Sequence, residues 1–274
     1  MADSYTHQRL AEEAIQNIEI TDRNVLLLGS QGPDIFFFYK VYKKTDAEIR
    51  KIGTHMHNNK TGEFLFNLRK NATSNIQKSY FYGFLCHYAV DLTIHPYVKY
   101  CEDTIYTMKN GHGYFEAGLD DYVANGNMKF AKISDDEAWE VSMLLKKSIF
   151  DTYQTDLDME IFTQAISDFY LIKKMMRGNK NFFKLAEKIM KVEESYYLSH
   201  IQPAVIKLQT PKEKWYDTYK REWFSEDIDQ ILDRCKQKCT EFIMYAQKID
   251  GEKIDYYQFH EVIGSLSYET GLEV

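Results

Sequence analysis

Apolar residues along this chain recur with the spacing of helices. Leu10, Ala11, Ala14, Ile15 and Ile18 fall on one helical face, with Ser4 or Thr6 upstream as a side chain able to cap the first turn. Thr61 to Leu68 continues the pattern. The run from Tyr80 to Ile94 differs, because it is apolar on nearly every side: Phe81, Phe84, Leu85, Cys86, Val90, Leu92 and Ile94. A helix without a polar face is a buried helix. It is expected to stop near His95, since Pro96 disfavours helical geometry in the residue before it. Further helices are expected at about 112–124, 135–150, 157–174, 182–198 and 213–247, with a loop at Gly178–Asn181. Clean strand alternation is absent. The chain therefore reads as all-α, a single multi-helix domain over residues 1–274.

Composition supports a globular reading and narrows the partners. The chain has 274 residues, 44% of them hydrophobic, which is enough to bury a sizeable core, and 21 Tyr with 17 Phe make that core aromatic. A net charge of −7 argues against a broad basic surface, so a stable nucleic-acid complex is not expected. A nuclease is still compatible with that charge, because bound metals supply local positive charge. Four cysteines with no C-x-x-C pair make neither a disulfide framework nor a zinc ribbon, and Cys235 and Cys239 read as packing residues of one helix. The charged stretch Lys212–Arg221 reads as a solvated helix face. No basic-then-apolar leader is visible, and no run reaches the roughly 18 apolar residues of a membrane span, so a cytoplasmic protein is expected.

The chemistry lies in two motifs on those helices. His87, Asp91 and His95 are spaced four apart, and so are His112 and Glu116. Residues i and i+4 share a helix face, one turn apart. An Asp between two His on a buried helix needs partners, because an unpaired buried charge is very costly. A divalent metal is the simplest partner for all three. The loop Gly29–Asp34 adds an acid, Asp34, behind a Gly-Pro turn. Six of the eight histidines (His7, His55, His57, His87, His95 and His112) lie in the first 112 residues, so the N-terminal half builds any site. His200 and His260 read as ordinary surface or core residues. No Ser–His–Asp arrangement, P-loop or dinucleotide-binding fingerprint competes.

Taken in order, these residues resemble the zinc-dependent phospholipase C family, whose all-α fold is shared with single-strand-specific zinc nucleases. The family pattern is an N-terminal His, an Asp in a Gly-rich loop, a lone His, H-x-x-x-D, a further His, and H-x-x-x-E or H-x-x-x-D. His7 in Tyr5-Thr6-His7, Asp34 in Gly32-Pro33-Asp34, His57, His87 with Asp91, His95, and His112 with Glu116 match it over about residues 5–120. The chain departs from the secreted members in having no N-terminal Trp, no choline-binding aromatic box and a shorter Asp91-to-His95 spacing.

The resemblance implies two or three zinc ions per chain. His57, His87, Asp91 and Asp34 would hold one; His7, Asp91 and an N-terminal amine a second; His95, His112 and Glu116 a third. Asp91 would bridge two metals. Asp34 and Asp91 are the expected catalytic residues, with Asp34 orienting or deprotonating a water acidified by the metals. His55 stands as an alternative ligand to His57. The His95 group is expected to be the more enclosed, and His7 to serve the site nearest the mobile N-terminus. The implied activity is hydrolysis of a phosphodiester, with a phospholipid as substrate; alternatives are a nuclease-like phosphodiesterase and a non-catalytic helical module with structural zinc. The apolar run Ile35–Tyr39 reads either as an acyl-chain or membrane-facing patch, giving peripheral membrane contact, or as a buried hairpin or helix.

Overall fold

The computed structural model describes residues 4–41, 46–175 and 208–274. Its helices are α1 (Ser4–Ala14), α2 (Arg23–Gly29), α3 (Ile35–Phe38), α4 (Ala47–Asn58), α5 (Thr61–Asn71), α6 (Asn75–Thr104), α7 (Gly111–Ala124), α8 (Asp135–Tyr153), α9 (Met159–Met175), α10 (Ile228–Lys248) and α11 (Tyr256–Ile263). A 3-10 turn at Gly32–Asp34 precedes α3, and a two-stranded hairpin, β1 (Trp215–Asp217) and β2 (Glu222–Phe224), precedes α10. The fold is all-α, as the periodicity predicts. No helix among the described residues is long and apolar enough to cross a membrane.

The axis of the fold is α6. Ser74 caps it with Gln77 in a reciprocal capping box, and every residue from Ser79 to Val98 is buried. α2 packs on one side and α10 on another, with α1, α7 and α8 around them. The approach of α2 depends on Gly83, where a Cβ would overlap the Leu26 carbonyl. Along α10, Ile231, Leu232, Cys235, Cys239, Phe242, Ile243 and Ala246 form the buried stripe. Cys235 and Cys239 pack against the Val90 and Cys86 carbonyls of α6, in the packing role expected of them.

Three expectations need correction. First, α6 does not stop at His95; it runs through Pro96 to Thr104 over 30 residues. Proline inside a helix costs about 3 kcal/mol. Beyond it, Tyr97, Val98 and Cys101 are buried, and Tyr97 packs edge-on against Phe115 at 5.9 Å and Trp215 at 5.4 Å. Each such side chain contributes roughly 1.5–3 kcal/mol, so burial outweighs the lost backbone bond. Second, the stretch 213–247 is not one helix. Asp217 Oδ1 accepts from the Tyr219 and Lys220 amides, both at 2.9 Å, and Arg221 takes a positive φ. That side-chain turn closes a hairpin, so Lys212–Arg221 is not a helix face. Third, Ser4 and Thr6 lie within α1 as described, and the donors of its first turn go to Asp120 instead. The helix at 182–198, the loop at Gly178–Asn181 and His200 lie outside the described residues.

The C-terminal residues, 264–274, form a strap against the α4–α5 junction. Thr61 Oγ1 donates to the Leu266 carbonyl at 2.9 Å, Ser267 Oγ to Asn58 Oδ1 at 2.8 Å, and the Tyr268 amide to the His57 carbonyl at 2.9 Å.

Candidate metal centre

Five elements bring the eight predicted residues together. α6 supplies His87, Asp91 and His95, one turn apart on a buried face. α1 brings His7, the 3-10 turn brings Asp34, α4 brings His57, and α7 brings His112 and Glu116. Asp91 lies at the centre. Its Oδ1 is 3.2 Å from His7 Nε2 and 3.6 Å from His95 Nε2, and its Oδ2 is 3.0 Å from His87 Nε2 and 3.5 Å from His57 Nε2. Asp34 Oδ1 is 3.2 Å from His57 Nε2, and Glu116 Oε1 is 2.8 Å from His112 Nε2 and 3.7 Å from His95 Nε2.

The donor atoms fall into three groups, each compact enough for one ion: His7, His87 and Asp91; Asp34, His57 and His87; and His95, His112 and Glu116. His7 Nε2, Asp34 Oδ1, His87 Nε2, His95 Nε2 and both Asp91 oxygens are buried and make no hydrogen bond among the described residues. Buried polar atoms normally find a partner. Imidazole nitrogen and carboxylate oxygen in threes are the donor set that zinc prefers. The residues present therefore fit the metal.

The imidazoles are aimed from behind. His57 Nδ1 meets the Gly53 carbonyl at 2.7 Å, His87 Nδ1 the Ser30 carbonyl at 3.1 Å, and His95 Nδ1 the Tyr268 carbonyl at 2.7 Å. Each contact uses Nδ1 to hold the ring and turns Nε2 inward, the usual arrangement of a metal histidine. His112 Nδ1 faces the Glu102 carboxylate at 3.6 Å. His7 is different: its Nδ1 makes no hydrogen bond among the described residues, and its ring stacks on His87 at 4.2 Å. Gly32 permits the tight passage of the loop, since it takes a positive φ and a Cβ there would overlap the His87 ring.

Electrostatics follow from burial and crowding. Burial disfavours the His57 cation, but Asp34 and Asp91 more than offset it and push the imidazole up to about 10. Burial likewise opposes ionisation of Asp91, yet His95, His87 and His7 hold it well below the usual carboxylate range. Asp34 is also lowered, with burial overcome by His57 and His87. His7 is lowered, first by burial and then by His87. The cluster thus keeps Asp34 and Asp91 charged and holds a proton on His57 where a metal would otherwise sit.

Other predicted residues fall elsewhere. His55 is exposed, packs edge-on against Tyr153 at 5.0 Å and joins none of the three groups, so it is not an alternative to His57. His260 pairs with Glu273 at 2.8 Å, away from the cluster. In the run Ile35–Tyr39, Ile35, Phe36 and Tyr39 are core residues of and beside α3, and the ring of half-buried Phe37 lies 5.9 Å from His57. The buried-helix reading of that run holds. The His95 group is not the more enclosed one: the His112 side chain is 32% exposed, against 1% for His7.

Sequence reasoning missed two residues that shape the centre. Tyr268 bonds both His57 and His95 through its backbone, and its ring lies 5.0 Å from His57 and 5.8 Å from His87. No local pattern marks it, because it is 173 residues from His95 in sequence. Asp120 had a signal: it continues the His112–Glu116 spacing by one further turn of α7.

The family model described as zinc dependent phospholipase C matches residues 6–168, more than half of the chain, and the chain belongs to that family. All eight predicted residues lie within the matched span. Membership supports a zinc-dependent, phospholipase C-like phosphodiesterase function. No curated protein and no solved structure matches the chain.

Proposed function

From that membership, we propose that the chain binds two or three zinc ions through His7, Asp34, His57, His87, Asp91, His95, His112 and Glu116, and hydrolyses the phosphodiester of a phospholipid. The observation that carries this reading is the convergence of imidazole and carboxylate atoms in groups of three, in which His7 Nε2, Asp34 Oδ1, His87 Nε2, His95 Nε2 and both Asp91 oxygens are buried and make no hydrogen bond among the described residues. When bound, zinc supplies Lewis-acid polarisation of phosphate oxygens and lowers the pKa of a bound water.

The chain's own residues do the rest. Carbonyls of Gly53, Ser30 and Tyr268 hold three imidazoles with Nε2 turned inward, so the ligand set is formed before substrate arrives. Asp34 keeps a charged carboxylate at the end of a rigid turn, beside His57, where it can take a proton as general base. Asp91 places one oxygen toward each pair of imidazoles and is the residue able to serve two ions. Among the described residues, no lysine or arginine pairs with Asp34 or Asp91, and bound metals would supply positive charge to a phosphate there. The partly exposed His112 marks the open side, and half-buried Phe37 offers apolar contact beside His57.

The same reading takes residues 1–274 as one domain in which the segment after the ligands completes the helical core, as α10 does against α6. Four free, buried cysteines suit a reducing compartment and support a cytoplasmic protein. The test is elemental analysis of purified protein, followed by competition between phospholipid micelles and a single-stranded oligonucleotide at matched phosphate. Two or three zinc ions and faster release from the lipid are expected. Faster release from the oligonucleotide makes the protein a nuclease; zinc with no release from either makes it a structural-zinc module.

A further inference from the structure

Resting on the proposed zinc centre, we infer that Asp120 is a positioning residue for the His7 metal. The reason begins with a difference between the histidines. Those of α4 and α6 are each aimed by a backbone carbonyl, whereas His7 has no hydrogen-bond partner for its Nδ1 among the described residues. Beyond its stacking on His87 and its approach to Asp91, His7 is placed by the helix that carries it.

Asp120 fixes that helix. It is fully buried on α7, one turn past Glu116 and two past His112, on the ligand-bearing face. Its Oδ2 accepts from the Tyr5 amide at 3.0 Å. Its Oδ1 accepts from the Thr6 amide at 2.7 Å and from Thr6 Oγ1 at 2.6 Å. Amides of a first helical turn have no partner within their own helix, and a carboxylate there also complements the helix dipole. Both oxygens of Asp120 are thus engaged by the two residues immediately before His7, and neither belongs to a metal group.

Neutral contacts also hold α1: Gln31 Nε2 donates to the Ser4 carbonyl at 3.1 Å, Gln8 Nε2 to the Lys129 carbonyl at 2.6 Å, Tyr5 Oη to the Asn127 carbonyl at 2.9 Å, the Ala131 amide to Gln8 Oε1 at 2.9 Å and Thr240 Oγ1 to the Ala14 carbonyl at 3.2 Å. None of these anchors stands on a neighbouring helix that carries a metal ligand. Asp120 does. A single helix, α7, then supplies two ligands to the outer ion and, through Asp120, sets where His7 stands beside Asp91. Placement of one ion is coupled to placement of another through a carboxylate that binds neither.

The experiment compares Asp120→Asn, His7→Ala and the double variant by zinc titration of metal-free full-length protein, with amide hydrogen exchange at Tyr5 and Thr6. Asp120→Asn should weaken one zinc of the set by about 10–100-fold, the range for loss of an outer partner. It should be the zinc that His7→Ala loses, and the double variant should be no worse than His7→Ala. Exchange at Tyr5 and Thr6 should quicken. Thr6→Val, which removes only the hydroxyl bond, should weaken the same zinc by a smaller factor and serves if Asp120→Asn does not fold. Unchanged zinc affinity in Asp120→Asn or Thr6→Val, with only a lower melting temperature, overturns the inference, as do additive losses in the double variant. Wild-type protein that takes up no zinc overturns the zinc centre itself, which is a separate result.

Discussion

His87 with Asp91 and His112 with Glu116 are the same motif, an imidazole four residues ahead of a carboxylate on a helix, in two surroundings. His87 is buried, stacked on His7 at 4.2 Å and oriented by the Ser30 carbonyl at 3.1 Å. His112 is 32% exposed and, among the described residues, has only the Glu102 carboxylate, at 3.6 Å, behind it. Equal spacing brings each pair within reach. The surroundings decide how firmly each pair is held. The inner end, built on His7, Asp34, His57, His87 and Asp91, is locked by core packing. The outer end, built on His95, His112 and Glu116, meets solvent at one ligand. Metal exchange and substrate entry are therefore expected at the outer end, and coupling to folding at the inner one.

The largest effect is expected at the residue that touches both ends. Asp91→Asn leaves His57, His87 and His7 buried without their central anion. Removing one partner of a buried charged set costs about 3–5 kcal/mol. The variant should lose the inner zinc, as measured by elemental analysis, and keep the His95–His112–Glu116 zinc. Full zinc retention breaks the cluster assignment. Loss of all zinc breaks the division into two ends.

Next in size is the contrast between the two motif histidines. His87→Ala removes a donor from two of the three groups and opens a core cavity, and buried large-to-small changes cost about 2–5 kcal/mol. His112→Ala removes a partly exposed side chain and opens no core cavity, though it takes a partner 2.8 Å away from the buried Glu116 carboxylate, so its cost should be the smaller of the two. Thermal melting at fixed free zinc checks the order. For the same reason His7→Ala should destabilise at least as much as His95→Ala, the reverse of the ranking that sequence order suggests.

That reversal shows what could be read from the chain alone. The helix of α6 as far as His95, the i, i+4 pairs and the order of the candidate residues are local patterns, and the structure brings those residues together. Burial of His7 is not local: it depends on Asp120, 114 positions from Thr6, and on stacking against α6. The extension of α6 past Pro96 was hidden because a local proline rule lost to the packing of Tyr97 against Trp215. The strap at Tyr268 was hidden because its contribution is a backbone carbonyl, which every residue type has.

A smaller effect concerns protons at the inner end. His57 is pushed up to about 10 in the metal-free fold, above its ordinary value, chiefly because Asp34 and Asp91 outweigh burial. It therefore stays protonated between its ordinary value and about 10, and a zinc ligand must be neutral. Filling the inner end at pH 8 should release about one proton from His57, and inner zinc affinity should fall as pH is lowered. Calorimetry in two buffers of different ionisation enthalpy reads the release. A heat independent of buffer removes His57 from the ligand set.

The smallest effect should come from Glu102→Gln. Glu102 stands on the last turns of α6, is partly exposed, and faces His112 Nδ1 at 3.6 Å. That is too long for a strong hydrogen bond, so its hold on the imidazole is mainly charge, screened by solvent. Outer partners of metal histidines can change affinity by 10–100-fold; here about 10-fold or less is expected, because the carboxylate is neither close nor buried. The loss should appear only at the outer zinc, followed by competition with a chelator, and should shrink further at high salt. A loss at the inner zinc would mean that the two ends are not separable through α6. A loss as large as that of His112→Ala would mean that the outer end is as tightly organised as the inner one, and the contrast drawn from exposure would fail.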